Sequence, residues 1–211
     1  TNLITQSIVY TDEYDKYRQL LDSVQAHEGR TIVFVETKRT ADALTNSLFT
    51  SGVPAAAIHG DRSQREREQA LDGFRRGHPR VLVATDVAAR GLDVPDCVHV
   101  INFQLPHEIS SYVHRIGRTG RCGRKGFATS FFTAANVPVA RELVGVLEDA
   151  QQDVPPWLKE MALKSPRGGG SNGYGRSKGG ARFGGRDYRN NAPRRQYGGG
   201  GGQYGGGGGG Y

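Results

Sequence analysis

Short apolar runs alternate with longer amphipathic ones along most of the chain, and that alternation admits very few architectures. Residues 31–35 read T-I-V-F-V and residues 80–84 read R-V-L-V-A. Brief, β-branched, continuously apolar runs of this kind mark strands buried on both faces. Further strands are predicted over 4–10, 55–58, 98–102 and 128–132. Helices are predicted between them, over 12–25, 40–50, 63–75, 108–113 and 139–150, with a last short one over 157–163 after Pro155-Pro156. Thr11 and Ser63 stand at N-cap positions, and Asp12, Glu13 and Asp15 are placed in a first turn, where the helix dipole favours acids. Strands separated by whole helices pair in parallel, because only an antiparallel neighbour can be reached by a tight turn. The expected fold class is therefore α/β, with three layers and a mainly parallel sheet covered on both faces. Right-handed crossovers bring the C-terminal strand ends to one edge, where ligands of such sheets bind. The loops at 36–39, 59–62, 85–93 and 103–107 are where chemistry is expected.

Charge divides the chain sharply. Residues 1–166 hold 20 Lys or Arg against 20 Asp or Glu, whereas residues 167–211 hold eight Lys or Arg and one acid, Asp187. The formal +7 belongs entirely to the second stretch, as do 20 of the 31 glycines. A neutral domain carrying a cationic arm points to nucleic acid or an acidic surface as partner. Cys97 and Cys122 lack metal-ligand spacing and read as reduced thiols of an intracellular protein. No apolar run approaches the roughly 20 residues of a membrane span, and Thr1-Asn2-Leu3-Ile4 is not a signal peptide. The chain opens without Met and runs straight into a strand, which suggests a piece of a longer protein.

Three of the loop regions carry distinctive residues. Arg115, Arg118 and Arg121 are three apart; on a helical turn this spacing puts them on one side, with Gly117 and Gly120 allowing close backbone approach. Crowded guanidiniums repel unless an anion bridges them, and polyphosphate suits their planar forks. A solvated basic turn would show the same spacing, so the pattern alone leaves both readings open. Arg62 and Arg65 interleave with Glu66 and Glu68, as on an exposed helix face with i,i+4 pairs. His59 is read as a core histidine, Lys38 and Arg39 as ambiguous, and Asp12-Glu13-Tyr14-Asp15 as a helix N-terminus rather than a metal motif.

In this order and spacing the segments resemble a known family. H-R-I-G-R-T-G-R (114–121) resembles motif VI of the DEAD-box ATP-dependent RNA helicases, and A-T-D-V-A-A-R-G-L-D-V (84–94) resembles motif V. I-V-F-V-E-T-K (32–38) resembles motif IV, and Gln64 with Arg67 resembles the adjoining Q-x-x-R motif. E-T-K together with I-H-G-D-R-S-Q-R-E-R-E-Q-A-L (58–71) is most similar to the Belle/Vasa branch. The resemblance implies that residues 1–165 are the C-terminal RecA-like domain of such a helicase. It further implies arginine fingers at Arg118 and Arg121, nucleotide contacts at Gly91 and Asp93, and interdomain contacts at Arg90, His114 and Arg115. RNA contacts are implied at Thr37, Gly60, Gln64, Arg67, Thr85 and Asp86. ATP with Mg²⁺ is the implied cofactor, held by a first RecA-like domain; no G-x-x-x-x-G-K-[ST] phosphate loop occurs in these 211 residues. Implied partners are single-stranded or duplex RNA, that first domain, and mRNA-associated or translation factors, with no membrane. The cytoplasm is the expected location, with the nucleus or RNA granules as alternatives. The competing reading is a binding module without turnover.

Residues 166–211 cannot bury enough apolar surface to fold and are expected to be a disordered, RNA-binding tail. Arg176, Arg182, Arg186 and Arg189 alternate with Tyr174, Phe183 and Tyr188, pairing cations for phosphates with rings for bases. If the tail carries most of the RNA affinity of this chain, a single-strand binding isotherm repeated across a salt series should give a log K against log[salt] slope of up to about −6. Ending the chain at Ser165 should weaken binding and flatten that slope; equal slopes would reduce the tail to a spacer.

Overall fold

The structure is a computed structural model that describes residues 3–90, 97–121 and 123–165, and for Arg90 the backbone alone. Gly91, Asp93, Cys122 and the tail lie outside the described residues. The chain runs β1 (Ile4–Tyr10), α1 (Lys16–Ala26), β2 (Thr31–Val35), α2 (Lys38–Thr50), β3 (Ala55–Ile58), α3 (Gln64–Arg75), β4 (Val81–Thr85) and α4 (Asp86–Arg90). It continues through β5 (His99–Asn102), α5 (Ile109–Ile116), β6 (Gly126–Phe132), a 3-10 turn (Ala134–Val139), α6 (Ala140–Asp149) and α7 (Pro156–Lys164). The six strands pair in the order β1-β6-β5-β2-β4-β3, and every pairing is parallel.

Register sorts the core, because successive side chains of a strand point to opposite faces. Val33, Val35, Val81, Val83, Ile101 and Phe131 form one face, under Leu20 and Val24 of α1 and Leu44 and Leu48 of α2. Ile32, Phe34, Leu82, Ala84 and Val100 form the other, against Leu71 and Phe74 of α3 and Ala88 and Ala89 of α4. Through the Val100–Ala128 pairing this second face continues over β6 and β1, where Ala128, Phe132, Ile4 and Ile8 meet α5, α6 and α7. The result is the three-layer RecA-like arrangement, helices on a parallel sheet on helices. β2 and β4 lie near the sheet's middle with all five residues buried, as their unbroken apolar runs require.

Local chemistry sets the starts of the first three helices. Ser63 and Glu66 form a reciprocal capping box, the Ser63 N–H donating to Glu66 Oε2 at 2.8 Å. The start of α1 differs from expectation. Asp12 Oδ1 accepts from the N–H groups of Tyr14 and Asp15 at 3.0 and 2.9 Å, building a turn that delays the helix to Lys16. Thr11 is thus not its cap, and the acids precede its first turn. In α2 the cap is Thr37, whose Oγ1 accepts from Thr40 N–H at 3.1 Å, so this helix begins earlier than the apolar spacing suggests.

His99 sits fully buried in β5, its Nε2 2.8 Å from Thr129 Oγ1 and its ring edge-on to His27. Burial pushes its imidazole down to about 3, with His27 adding to the shift. Unfolded, the same group titrates near 6.5, so between these values the unfolded chain binds more protons and stability falls as pH falls. Urea titrations at pH 7 and pH 4.5 should show a smaller acid loss for His99→Gln than for the native chain. The His99 contribution to the slope is at most about 1.4 kcal/mol per pH unit; identical pH dependence would remove His99 from the account.

Candidate functional site

The ends of β2, β3 and β4 open onto one edge, and most residues singled out there by sequence lie along it. Thr37 follows β2, exposed, its hydroxyl already engaged in capping α2 and 2.8 Å from Thr40 Oγ1. Gly60 follows β3 and is exposed; a Cβ built on it meets nothing within 4 Å, so no neighbour within the domain demands glycine there. Thr85 closes β4 and Asp86 opens α4. Gln64 stands at the start of α3 with its amide donating to Glu68 Oε1 at 2.8 Å, and Arg67 lies a turn further on, with its Nε buried and without a hydrogen-bond partner.

The segment between β3 and α3 is held from behind by Asp42 of α2. Its Oδ1 lies 2.9 Å from the buried Nε2 of His59 and accepts from Arg62 Nη2 at 2.7 Å. Desolvation works to raise the Asp42 carboxyl, but the hydrogen bonds and charges of His59 and Arg62 outweigh it and hold the group below its ordinary value. Arg62, just before the N-cap of α3, therefore reaches across to α2 as well as forward to Glu66 in the first turn of α3 at 3.4 Å. Lys38 closes the same edge on Asp61 at 2.6 Å.

Arg115 is the most deeply buried of the three arginines. Its side chain is 2% exposed and forms a fork with Asp86, Nε donating to Oδ1 at 2.6 Å and Nη2 to Oδ2 at 2.7 Å. Nη1 donates to the Gln104 carbonyl at 2.7 Å and to Asn102 Oδ1 at 3.2 Å, and the guanidinium lies over the Phe34 ring at 5.1 Å. Asn102 in turn donates to Ser130 Oγ at 2.9 Å, and Gln104 Oε1 accepts from Glu36 N–H at 2.9 Å. All three guanidinium nitrogens of Arg115 thus bond within the domain, and Asp86 has both carboxylate oxygens turned toward it.

The three arginines consequently do not share one side of a helix. α5 ends at Ile116, and the chain tightens into a turn through Arg118 N–H to the Arg115 carbonyl and Thr119 N–H to that of Ile116, both at 3.1 Å. Arg118 is half-buried, with Nη2 3.5 Å from the Ala89 carbonyl at the end of α4; Arg121 is exposed, its Nε donating to the Gly117 carbonyl at 2.8 Å. Together with Gly117 and the exposed His114 they line a groove beside α5. Thr119 pins the turn: it is buried, and its hydroxyl lies 2.7 and 2.9 Å from the carbonyl oxygens of Cys97 and Val98. Gly120 has φ +69°, and a Cβ there would lie 2.5 Å from Ile4 Cγ1. The positive φ and the close packing against β1 both require glycine at 120. Thr119 was not singled out from the sequence; its only signal was a small hydroxyl residue set between arginines.

A guanidinium donor on an exposed turn and another half-buried beside it suit the oxygens of an anionic phosphate chain. Arg115 has the opposite character, and stability measurements should separate them. Arg115→Ala strands the Asp86 carboxylate and should destabilise the domain by about 3–5 kcal/mol. Arg118→Ala and Arg121→Ala should stay within about 1 kcal/mol of the native chain. Equal losses at all three in urea denaturation would contradict this division.

Residues 13–123 match the helicase conserved C-terminal domain family. Among solved structures, the yeast DEAD-box splicing factor Prp28 is 34% identical over 79% of this chain, with a TM-score of 0.73. The RNA helicase Prp28 from Chaetomium thermophilum, solved bound to ADP, is 33% identical over 75% of the chain, with a TM-score of 0.68. The chain spans only 38% and 40% of these two proteins. It covers 97% of the C-terminal domain of the DEAD-box protein Dbp5, at 33% identity and a TM-score of 0.63. With the family matched over more than half its length, and with the parallel sheet and its strand-end loops in place, this chain belongs to the DEAD-box helicases and carries their conserved C-terminal domain.

Proposed function

We propose that this chain is the second half of an ATP-dependent RNA helicase, working with a first RecA-like domain that holds Mg²⁺-ATP. The observation that carries the reading is the division of labour among the motif VI arginines: Arg115 is locked to Asp86, while Arg118 and Arg121 remain on the turn beyond α5. In that reading Arg118 and Arg121 would be the fingers that reach the terminal phosphate, with Gly91 and Asp93 against the nucleotide. Bound ATP supplies the phosphoanhydride whose cleavage drives the cycle. Arg90 and His114 would face the first domain, and Arg115 would act through the placement of the turn.

The strand-end edge would take the RNA backbone. Thr37, Gly60, Gln64, Arg67, Thr85 and Asp86 offer hydroxyl, amide, backbone and guanidinium groups suited to phosphate and 2′-OH, which discriminate RNA without reading bases. Closing both domains on a strand would clamp it and open short duplexes, and the tail from 166 onward would add sequence-tolerant affinity. The E-T-K and I-H-G-D-R-S-Q segments support a Belle/Vasa-like member serving mRNA or translation in the cytoplasm, the nucleus or RNA granules.

The test uses a two-domain protein in which a P-loop-bearing domain precedes this chain. Arg118→Ala or Arg121→Ala should lower kcat by about 10³-fold or more with ATP still bound, since fingers act on charge that develops in the transition state. The 211-residue chain by itself should show no RNA-stimulated ATP turnover. Intact kcat with weakened nucleotide binding would contradict the finger assignment, and turnover by the chain alone would contradict the two-domain reading.

A further inference from the structure

β3 is an edge strand. Its inner side pairs with β4, and among the described residues no strand pairs with its outer side. An unpaired edge offers a row of backbone donors and acceptors, which proteins usually guard with charged side chains or a cover. The strand's own residues carry no charge: its first three are Ala55, Ala56 and Ala57, each half-buried, with Pro54 in front. The small side chains leave the backbone within reach.

Two hollows of about 470 and 460 Å³ flank this edge and share Ala55, His78 and Pro79. The first is mainly apolar, with Phe49, Pro54 and Pro79 around it, and Phe49 is 71% exposed. The second runs along Ala56 and Ala57 beneath Arg62, Glu66 and Arg76. Each hollow holds one cation with no acidic partner among the described residues, Arg80 in the first and Arg76 in the second; Arg62 is paired with Asp42 and Glu66. The Glu66 carboxylate is already spent on Ser63 and Arg62. Arg80 directs Nη1 to the carbonyls of Val24, His27 and Gly29, not to an acid, and Arg76 has no acidic partner among the described residues.

We propose that the outer edge of β3 receives an extended acidic segment of a protein partner. The segment pairs with the β3 backbone, places an apolar side chain between Phe49, Pro54 and Pro79, and sets carboxylates against Arg76 and Arg80. Strand addition takes affinity from main-chain hydrogen bonds and specificity from pockets for alternate side chains, and two hollows on one strand match that pattern. Charge selects the occupant. The chain's own residues 167–211 carry eight Lys or Arg and one acid and would meet like charge. A second copy pairing edge to edge would bring Arg76 and Arg80 against their counterparts. The apolar hollow lies at the opposite end of β3 from Gly60, whereas the second hollow reaches Arg62, beside the strand-end edge.

The experiment is fluorescence anisotropy with the full 211-residue chain and a labelled nonapeptide that alternates glutamate with valine and tyrosine. Two comparison peptides carry lysine for glutamate, or a central proline that removes a backbone donor. Arg76 and Phe49 are exposed, so Arg76→Glu and Phe49→Ser keep the core intact, which thermal melts verify. The glutamate peptide should bind, and the lysine peptide, the proline peptide and Arg76→Glu should each weaken binding by about tenfold or more. Hydrogen exchange should show new protection at 55–58 when the peptide is added. Acidic peptide that binds equally well to Arg76→Glu and despite the proline is held by the basic tail, which overturns the proposal. Full protection of 55–58 before any peptide is added would mean that the tail or a second copy already fills the edge, and would overturn it too.

Discussion

A buried guanidinium holds together the part of this domain that carries the candidate site. Arg115 is almost wholly removed from water, and such a charge survives only if its donors are satisfied and its field is answered. Asp86 answers it with both oxygens, while the Gln104 carbonyl and Asn102 take Nη1. One residue thereby joins the start of α4, the end of β5, the loop beyond it and the body of α5. The fork is planar and bidentate, a geometry that lysine cannot reproduce.

The position of everything downstream follows from that anchor. α5 cannot slide or rotate without breaking the fork, so the turn from Gly117 to Arg121 leaves the helix in a set direction. Thr119 makes a second attachment to the carbonyls of Cys97 and Val98, and Gly120 lets the turn pass against Ile4. Arg118 and Arg121 are thus carried on a turn anchored at Arg115, Thr119 and Gly120. The strand-end edge has its own brace in Asp42, which ties His59 and Arg62 together behind Gly60. Asp86 stands between the two regions, adjacent in sequence to Thr85 on the edge and bonded to the helix that carries the arginine turn.

Strands were the most legible elements. Buried parallel strands need unbroken apolar runs, and 31–35 could hardly be anything else. Helix ends were less legible where side chains competed with the helix for backbone groups. Asp12 captured two amides in a turn and postponed α1, and Thr37 advanced α2 by capping it. α4 escaped notice because five residues of D-V-A-A-R are too short for a periodic signal and are held by burial of Ala88 and Ala89. α5 runs three residues further than its apolar pattern, into the basic motif, because Arg115 is itself a buried residue of that helix.

The amino-acid sequence by itself determined the fold class, the order of the strands and of the longer helices, the sheet edge where the candidate residues gather and the membership of a helicase family. All of these rest on local pattern: apolar periodicity, capping residues and short motifs at set spacing. What it left open was the state of each charged side chain. Arg115, Arg118 and Arg121 are chemically identical and evenly spaced, yet one is a structural ion pair, one is half-buried and one is exposed. Only the tertiary structure decided among them, because the free energy of a charge depends on the water removed from it and on the partner brought to it from another strand. Asp86 lies 29 residues from Arg115 in the chain, and no spacing rule connects them until the parallel sheet sets β4 and β5 on either side of β2.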